Sequence, residues 1–395
     1  MLLKPAQAFT LCTTSTLGDG SHVGLDYPQL IQDVSPGDVL LLDDGRITLD
    51  VVEVDDTQIM TTVRHGGVLS DNKGINRQGG GLSAPALTPK DMEDIKLAAE
   101  LQVDFVAVSF PKSGADMHLA RELLHGAGSN ALLIAKIERA EAIPALEDIL
   151  HASDGAMVAR GDMAVEVGDA AVPALQKRII RLAREMNKLA ITATQMMESM
   201  IHNPSPTRAE VSDVANAVLD GTDAVMLSAE TASGKYPAET VAAMSRICIE
   251  AEKSAELTLD RDFLNRVFTR IDQSIAMAAL FTAYHLKVKA IAALTQSGST
   301  CLWMSRLNCG VPIYALTPET STRYKLSMYR GVEPMMIGYD GSDRDELQSR
   351  VERALMDCNA VRAGDMIVLT MGELIGKSGA TNTMKIIRVG EHLAH

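Results

Sequence analysis

The chain has 395 residues, of which 46% are hydrophobic, so it is long enough for two or three domains with cores of their own. Its 51 acidic and 37 basic side chains give a formal net charge of -14. Because the sequence has no basic run, this charge argues against nucleic acid and anionic membranes as partners. No segment reaches the ~18 consecutive apolar residues of a membrane span.

The five cysteines are scattered along the chain and contain no CxxC pair, which argues against a zinc or disulfide scaffold; they are Cys12, Cys248, Cys301, Cys309 and Cys358. The first residues, MLLKP, lack the apolar core of a signal peptide. We therefore expect a cytoplasmic protein in a reducing compartment.

Residues 1–82 have the pattern of a small β-rich domain. Short runs rich in β-formers at 39–44, 47–54 and 59–63 are separated by turn residues. Asp44-Gly45 between two of these runs predicts a hairpin turn.

Residues 83–257 alternate between apolar strands and helices. Thr88 and Pro89 predict the start of the first helix. Strands are predicted at 103–110, 131–138, 155–162, 189–196 and 224–231, and this alternation is typical of a parallel α/β sheet or barrel. A closed (β/α)₈ barrel needs eight strands. The five strands therefore predict either an open sheet or a barrel from which about three β/α units are absent.

Residues 258–395 predict a further α/β domain. A helix is expected at 271–286, followed by strands at 290–295, 312–316, 333–338 and 365–370.

Polar residues gather at the predicted carboxyl ends of the strands in 83–257, where α/β barrels place their functional groups. These residues are Lys136 and Glu138, then Arg160, Gly161 and Asp162, then Thr194, and finally Ser228 and Glu230. Lys136 and Glu138 share one face of their strand, since side chains alternate. A Lys–Glu ion pair that merely ends the strand stays open as an interpretation for that pair.

The two carboxylates Glu138 and Asp162 suit Mg²⁺ with positions open for phosphate oxygens. Lys136 beside them would neutralise charge on a transferring phosphoryl group or an enolate. Gly161 would let a backbone N–H approach an anion. QSGST at 296–300 follows a strand and precedes a helical segment, so it predicts either a phosphate-binding turn or an ordinary one.

Four segments together resemble the pyruvate kinase family, in its bacterial type. They are DNKGINRQGGGLS (71–83), LLIAKIERAEAI (132–143), MVARGDMAVEVG (157–168) and the long run from ITATQMMESM to SGKYP (191–237). QSGST and the C-terminal SGATNT resemble the regulatory domain of that family.

The resemblance implies a (β/α)₈ barrel with an inserted β lid and a C-terminal α/β domain, here without about three N-terminal β/α units. It implies phosphoryl transfer from phosphoenolpyruvate to ADP, with Mg²⁺ or Mn²⁺ and K⁺ as cofactors. Lys136 and Thr194 would be catalytic, Gly161 and Asp162 would bind substrate with them, and Glu138 and Asp162 would hold the metal. Thr295, Ser297, Gly298 and Thr300 match a sugar-phosphate effector loop, although the effector could also be a nucleotide. Family members are usually tetramers, so a homo-oligomer is expected.

Two other functions stay open at this stage. One is an aldolase or lyase that stabilises a pyruvate enolate with Mg²⁺. The other is a non-catalytic chain that keeps only the sugar-phosphate-binding domain. An open barrel would expose apolar strand faces and unpaired edges, so low stability or weak activity is expected.

Overall fold

The computed structural model of the protein describes residues 1–14, 17–254, 267–307, 309–338, 344–372 and 379–391. The chain forms two compact units. Unit 1 comprises Met1–Val214 and Val225–Met244, and unit 2 comprises Ala215–Ala224 and Ser245–His395. The predicted domain boundary at 257/258 lies outside the described residues, and the three-domain division stays a prediction.

Unit 1 begins with a β-rich part. Its elements are β1 (Leu2–Leu3), β2 (Ala8–Cys12), β3 (His22–Gly24), α1 (Leu30–Asp33), β4 (Val39–Leu42), β5 (Ile47–Val54), β6 (Gln58–His65), β7 (Gly67–Val68) and β8 (Ile75–Arg77). Six of the strands form one sheet in the order β3-β2-β6-β5-β4-β8, and β1 pairs with β7. Its core includes Phe9, Leu40 and Ile59, all fully buried.

The predicted hairpin turn is confirmed. Leu42 pairs with Ile47 across the antiparallel strands β4 and β5, so residues 43–46 form the loop. Asp43, Asp44 and Gly45 have φ angles of 51°, 56° and 81°. Asp and Gly are the residues that adopt this left-handed conformation at low cost, which explains why the turn forms here.

A second sheet is formed in the part of the chain from 89 to 254, which belongs to unit 1 except for Ala215–Ala224 and the residues from Ser245 onward. The elements from 89 to 254 are α2 (Pro89–Glu100), β9 (Phe105–Val108), α3 (Gly114–Gly126), β10 (Leu132–Ile137), α4 (Leu146–Ala152), β11 (Gly155–Ala159), α5 (Arg160–Val167), α6 (Val172–Glu185), β12 (Leu189–Ala193), α7 (Arg208–Asp220), β13 (Ala224–Val225), α8 (Ala229–Ala232) and α9 (Pro237–Ser254). Thr88 caps α2 with a capping box to Asp91, as the sequence predicts.

The five strands lie in chain order, β9 to β13, and β9 to β12 run parallel. Every residue of β11 and β12 is buried, as expected of parallel strands covered on both faces. A Cβ on Gly155 would lie 2.7 Å from Ile134 Cδ1 and 2.8 Å from Leu189 Cβ, so only glycine allows this approach of three strands.

All five strands predicted in 83–257 are shorter than expected, and two of them end where a helix begins or follows closely. The strand predicted at 155–162 ends at Ala159, and Arg160 begins helix α5. The strand predicted at 224–231 is only Ala224–Val225, and Glu230 lies in the short helix α8. The apolar pattern indicates that a strand exists but does not mark the residue at which it ends.

Residues 81–84, which follow the β-rich part, are held by side chains that lie close to Glu138 in the structure or in the sequence. Arg139, 3% exposed, donates hydrogen bonds to Leu82 O at 2.7 Å and Ala84 O at 3.4 Å. Glu141 accepts from the Gly81 amide at 2.6 Å, and Lys112 Nζ donates to Leu82 O at 2.8 Å. The connector is thus held by side chains that lie next to the strand end carrying the candidate site.

Unit 2 contains a sheet of its own. Its described elements from 271 onward are α10 (Ile271–Leu286), β14 (Ala290–Leu294), α11 (Ser299–Ser305), β15 (Ile313–Thr317), α12 (Thr320–Leu326), β16 (Val332–Met336), α13 (Arg344–Asp357), β17 (Met366–Gly372) and β18 (Thr381–Arg388). The strand order is β16-β15-β14-β17-β18, and only β18 is antiparallel to its neighbour. Arg306 and Asp223, both almost fully buried, form a bidentate ion pair within this unit.

Across the described parts of both units, no helix combines the length and the apolar content needed to cross a membrane.

Candidate active site

Strand β10 and the residue that follows it carry two charged side chains, Lys136 and Glu138, which lie next to each other. Lys136 pairs with Met157 of β11, and Glu138 follows one residue after the strand ends. The two side chains share a face, as predicted, and Lys136 Nζ lies 2.6 Å from Glu138 Oε1. The Lys136 ammonium also donates to Ser109 Oγ at 2.9 Å.

Glu138 is fully buried, with 0% of its surface exposed. Its Oε2 accepts a hydrogen bond of 2.8 Å from the Phe110 amide. Oε1 is buried and ion-paired with Lys136, and no other hydrogen-bond donor among the described residues reaches it. Burial raises the pKa of Glu138 above its ordinary value, although Lys136 acts in the opposite direction.

Asp162 lies in the first turn of α5, where the helix dipole favours a negative charge. Burial raises the pKa of Asp162, the Lys136 ammonium opposes this, and the charge of Asp44 adds to the increase. Asp162 in turn raises the pKa of Glu138. The two carboxylates and Lys136 therefore act on one another electrostatically.

This group of side chains fits a divalent cation. The buried Oε1 of Glu138 is a hard oxygen donor whose described contact is the Lys136 ammonium, and Asp162 supplies a second carboxylate nearby. Within the described ranges no cluster of three or more His, Cys, Asp or Glu side chains could hold a metal alone. The remaining coordination positions would thus be filled by water or substrate oxygens, as is usual for Mg²⁺.

Thr194 begins a strained turn directly after β12. Thr194 and Gln195 have φ angles of 66° and 54°, which is uncommon for non-glycine residues and costly for a β-branched one. The Thr194 hydroxyl accepts from the Gly161 amide at 2.8 Å and donates to Ala193 O at 2.7 Å. The structure thus brings Gly161 and Thr194 together, beside Asp162.

Some residues of the predicted set have other contacts. Arg160 donates to Ala193 O and Thr194 O, and ion-pairs with Asp213. Glu230, 1% exposed, accepts from the amides of Met197 and Ser228 and so holds the segment after the turn.

The sequence pattern did not predict Ser109 or Asp44 as part of the site. Ser109 directly follows strand β9, so the rule that places functional groups at strand carboxyl ends could have found it. Asp44 lies in a hairpin turn of the β-rich part, and no local pattern relates it to Asp162.

The predicted effector residues lie in unit 2, between β14 and α11. Thr295 Oγ1 accepts from the Gly298 amide at 2.9 Å, and Thr300 Oγ1 lies 2.8 Å from Thr381 Oγ1. Thr295 and Thr300 are buried, whereas Ser297 is exposed. A cavity of about 950 Å³ elsewhere in unit 2 is lined by none of these four residues.

Two models of known protein families match the chain, one over its N-terminal part and one over its C-terminal part. Residues 2–241 match the family model "Pyruvate kinase, barrel domain", and residues 273–387 match "Pyruvate kinase, alpha/beta domain". The chain belongs to the pyruvate kinase family. The sequence prediction of a pyruvate kinase, and thus of an enzyme, is confirmed.

Curated pyruvate kinases are similar over most of the chain. "Pyruvate kinase" of Buchnera aphidicola subsp. Schizaphis graminum is 52% identical over 94% of this chain and 78% of the relative. "Pyruvate kinase II" of Salmonella typhimurium is 50% identical, with the same shares covered. "Pyruvate kinase" of Thermotoga maritima is 40% identical over 98% of this chain and 82% of the relative.

Replacing Glu138 with Gln should weaken Mn²⁺ binding. The amide keeps the shape and the hydrogen bond from Phe110 but removes the charge, so the affinity is expected to fall at least about tenfold, a loss that even outer-shell changes cause. Calorimetry or the electron paramagnetic resonance of free Mn²⁺ measures this directly. Asp44→Asn is the control, because it removes a neighbouring charge without removing a donor. Equal Mn²⁺ affinities for Glu138→Gln and the control would contradict the assignment of Glu138 as a metal ligand.

Proposed function

We propose that this pyruvate kinase chain transfers the phosphoryl group of phosphoenolpyruvate to ADP at the site formed by Lys136, Glu138, Asp162 and Thr194. The P–O bond to the enol oxygen breaks, a new P–O bond forms to ADP, and a proton is added to the methylene carbon. The products are pyruvate and ATP. The observation that carries this proposal is the fully buried Glu138 carboxylate, ion-paired with Lys136 and under the electrostatic influence of Asp162.

Glu138 and Asp162 are the proposed ligands of Mg²⁺ or Mn²⁺, which when bound supplies positive charge to phosphoryl and enolate oxygens. Both carboxylates are held before substrate arrives. Glu138 is anchored by the Phe110 amide, and Asp162 by its place in the first turn of α5. Little reorganisation is then needed, which favours catalysis.

Lys136 is the proposed electrostatic catalyst. Its ammonium, 25% exposed, is steered by Ser109 Oγ and by Glu138. When Glu138 shares its charge with a cation, the ammonium is free to face the transferring phosphoryl group and then the enolate oxygen. A positive charge held there in a partly dry site stabilises charge that develops during transfer.

Thr194 is proposed to lie near the carbon that gains the proton, and Gly161 and Asp162 to meet the substrate with it. The Thr194 hydroxyl is held between the Gly161 amide and Ala193 O. Its orientation is therefore set by the protein rather than by the substrate.

Other parts of the proposal rest on the family. K⁺ is a proposed second cofactor, with none of the described residues assigned to it. A homo-oligomer, a tetramer by family, and a cytoplasmic location are proposed as well. We propose that strands β9 to β13 are part of a (β/α)₈ barrel, since all five follow chain order and β9 to β12 are parallel. The absence of about three β/α units stays a prediction.

We also propose that the loop 295–300 binds a sugar-phosphate or nucleotide effector. Gly298 has a φ of 82°, and the exposed Ser297 lies beside it, so this part of the loop can meet an anion. Thr295 and Thr300 hold the loop through their internal hydrogen bonds.

Ser297→Asp should abolish the binding of sugar phosphates, since it places a negative charge where the phosphate is proposed to lie. Calorimetry with glucose 6-phosphate and, separately, fructose 1,6-bisphosphate measures the effect. Ser349→Asp on α13 adds the same charge elsewhere in unit 2 and should keep the wild-type affinity. Unchanged binding in Ser297→Asp would place the effector elsewhere.

Lys136→Met should abolish phosphoryl transfer but keep Mn²⁺ bound. The side chain retains its length and loses its charge, so kcat/KM is expected to fall by at least about 10³-fold, in the range found for single electrostatic groups. A coupled assay of pyruvate formation measures turnover, and paramagnetic resonance measures Mn²⁺.

An active Lys136→Met would show that Lys136 and Glu138 form only a structural ion pair. Sugar-phosphate binding by a wild-type chain without turnover would favour the non-catalytic alternative. Cleavage of a 2-keto acid aldol without ADP-dependent transfer would favour the lyase, which the family match disfavours.

A further inference from the structure

The guanidinium of Arg160 holds the turn that carries Thr194. Its Nη2 donates to Thr194 O at 2.7 Å and its Nε to Ala193 O at 3.2 Å. Nη2 also lies 2.8 Å from Met196 Sδ. A single planar group thus contacts three of the four residues from Ala193 to Met196.

This turn needs such support because it is strained. Two successive non-glycine residues, Thr194 and Gln195, have positive φ angles, and such conformations persist only where the surroundings impose them. The direction of the Thr194 hydroxyl follows from the backbone of the turn. Anything that fixes Arg160 therefore fixes the position of this hydroxyl.

Arg160 is fixed in turn by Asp213. Nη1 of Arg160 donates to Asp213 Oδ1 at 2.7 Å, and the two side chains are 12% and 35% exposed. This bond leaves Nε and Nη2 directed at the carbonyls, because the guanidinium donors have a fixed planar geometry. Without Asp213, a nearly buried positive charge would lack its partner.

Asp213 is itself placed by a firmly anchored helix. At the start of α7, Thr207 and Glu210 form a capping box, with Thr207 N 2.7 Å from Glu210 Oε2. Glu210 also accepts from Ser199 N and Ser199 Oγ, at 2.7 and 2.6 Å. The helix is thereby bound to the segment that follows the turn, and Asp213 approaches Arg160 at a defined position.

We propose that Asp213 is a positioning residue for the proton-transfer step, which acts through Arg160 to hold the Thr194–Gln195 turn. Asp213 has no place among the substrate or metal ligands. The inference rests on the proposed role of Thr194 near the carbon that is protonated. It predicts a selective loss of rate in that step, with substrate binding kept.

The test uses the full chain with Asp213→Ala. The exchange of pyruvate methyl hydrogens with solvent deuterium, followed by NMR with Mg²⁺ and ATP present, reports the proton-transfer step alone. In Asp213→Ala the exchange rate and kcat should each fall about 10- to 100-fold, as expected for a misplaced reacting group, while KM for phosphoenolpyruvate changes less than about threefold. Asp213→Asn keeps an acceptor oxygen for Nη1, so its rates should lie between those of the wild type and Asp213→Ala.

Asp94→Ala is the matched control, because it removes the acidic partner of an exposed ion pair, with Lys90 on α2, and does not touch Arg160 or helix α7. It should leave the exchange rate at the wild-type value. Should Asp213→Ala fail to fold, Arg160→Lys retains the charge but cannot hold both carbonyls, and the same selective loss is expected.

Equal exchange rates in Asp213→Ala and Asp94→Ala would overturn the inference, as would an effect of Asp213→Ala confined to the KM for phosphoenolpyruvate. A wild-type chain that neither exchanges nor turns over would instead overturn the proposed function. The two failures are therefore distinguishable.

Discussion

The burial of the Glu138 carboxylate is the constraint on which the candidate site depends. A fully buried charge is costly unless it is paired and hydrogen-bonded. Lys136 and the Phe110 amide compensate part of this cost, but burial still raises the pKa of Glu138 above its ordinary value. Asp162 adds a second desolvated carboxylate. A divalent cation between the two carboxylates would reverse the effect of burial on both, since it favours their charged forms.

The second constraint is the left-handed turn after β12. It places the Thr194 hydroxyl against the Gly161 amide, at the start of the helix that carries Asp162. Asp162, a proposed metal ligand, and Thr194, the proposed proton-transfer residue, are therefore linked through Gly161, whose amide donates to the Thr194 hydroxyl. Arg160 and Asp213 stabilise this arrangement from the far side of the turn. The site thus depends on contacts between successive strand ends, as in other parallel α/β folds.

Much of the fold and of the candidate site could be predicted from the sequence, because these features follow from patterns of neighbouring residues. The spacing of Lys136 and Glu138 placed both on one face, and the strand–helix alternation indicated the parallel sheet. The rest depends on distant contacts. No glycine or asparagine marks the turn at Thr194, because the Arg160 guanidinium imposes it from 34 positions earlier in the chain.

Lys136 was expected to face a phosphoryl group rather than its neighbour, whereas the structure places its ammonium against Glu138.

The most direct measurement is anomalous X-ray diffraction from crystals of the chain grown with Mn²⁺ and a non-reactive analogue of phosphoenolpyruvate. If Glu138 and Asp162 share a catalytic cation, one strong peak is expected within coordination distance of Glu138 Oε1 and an Asp162 carboxylate oxygen. Oxygens of the analogue should complete its shell. A peak that contacts neither carboxylate, or analogue bound at this site with the ion elsewhere, would contradict that claim.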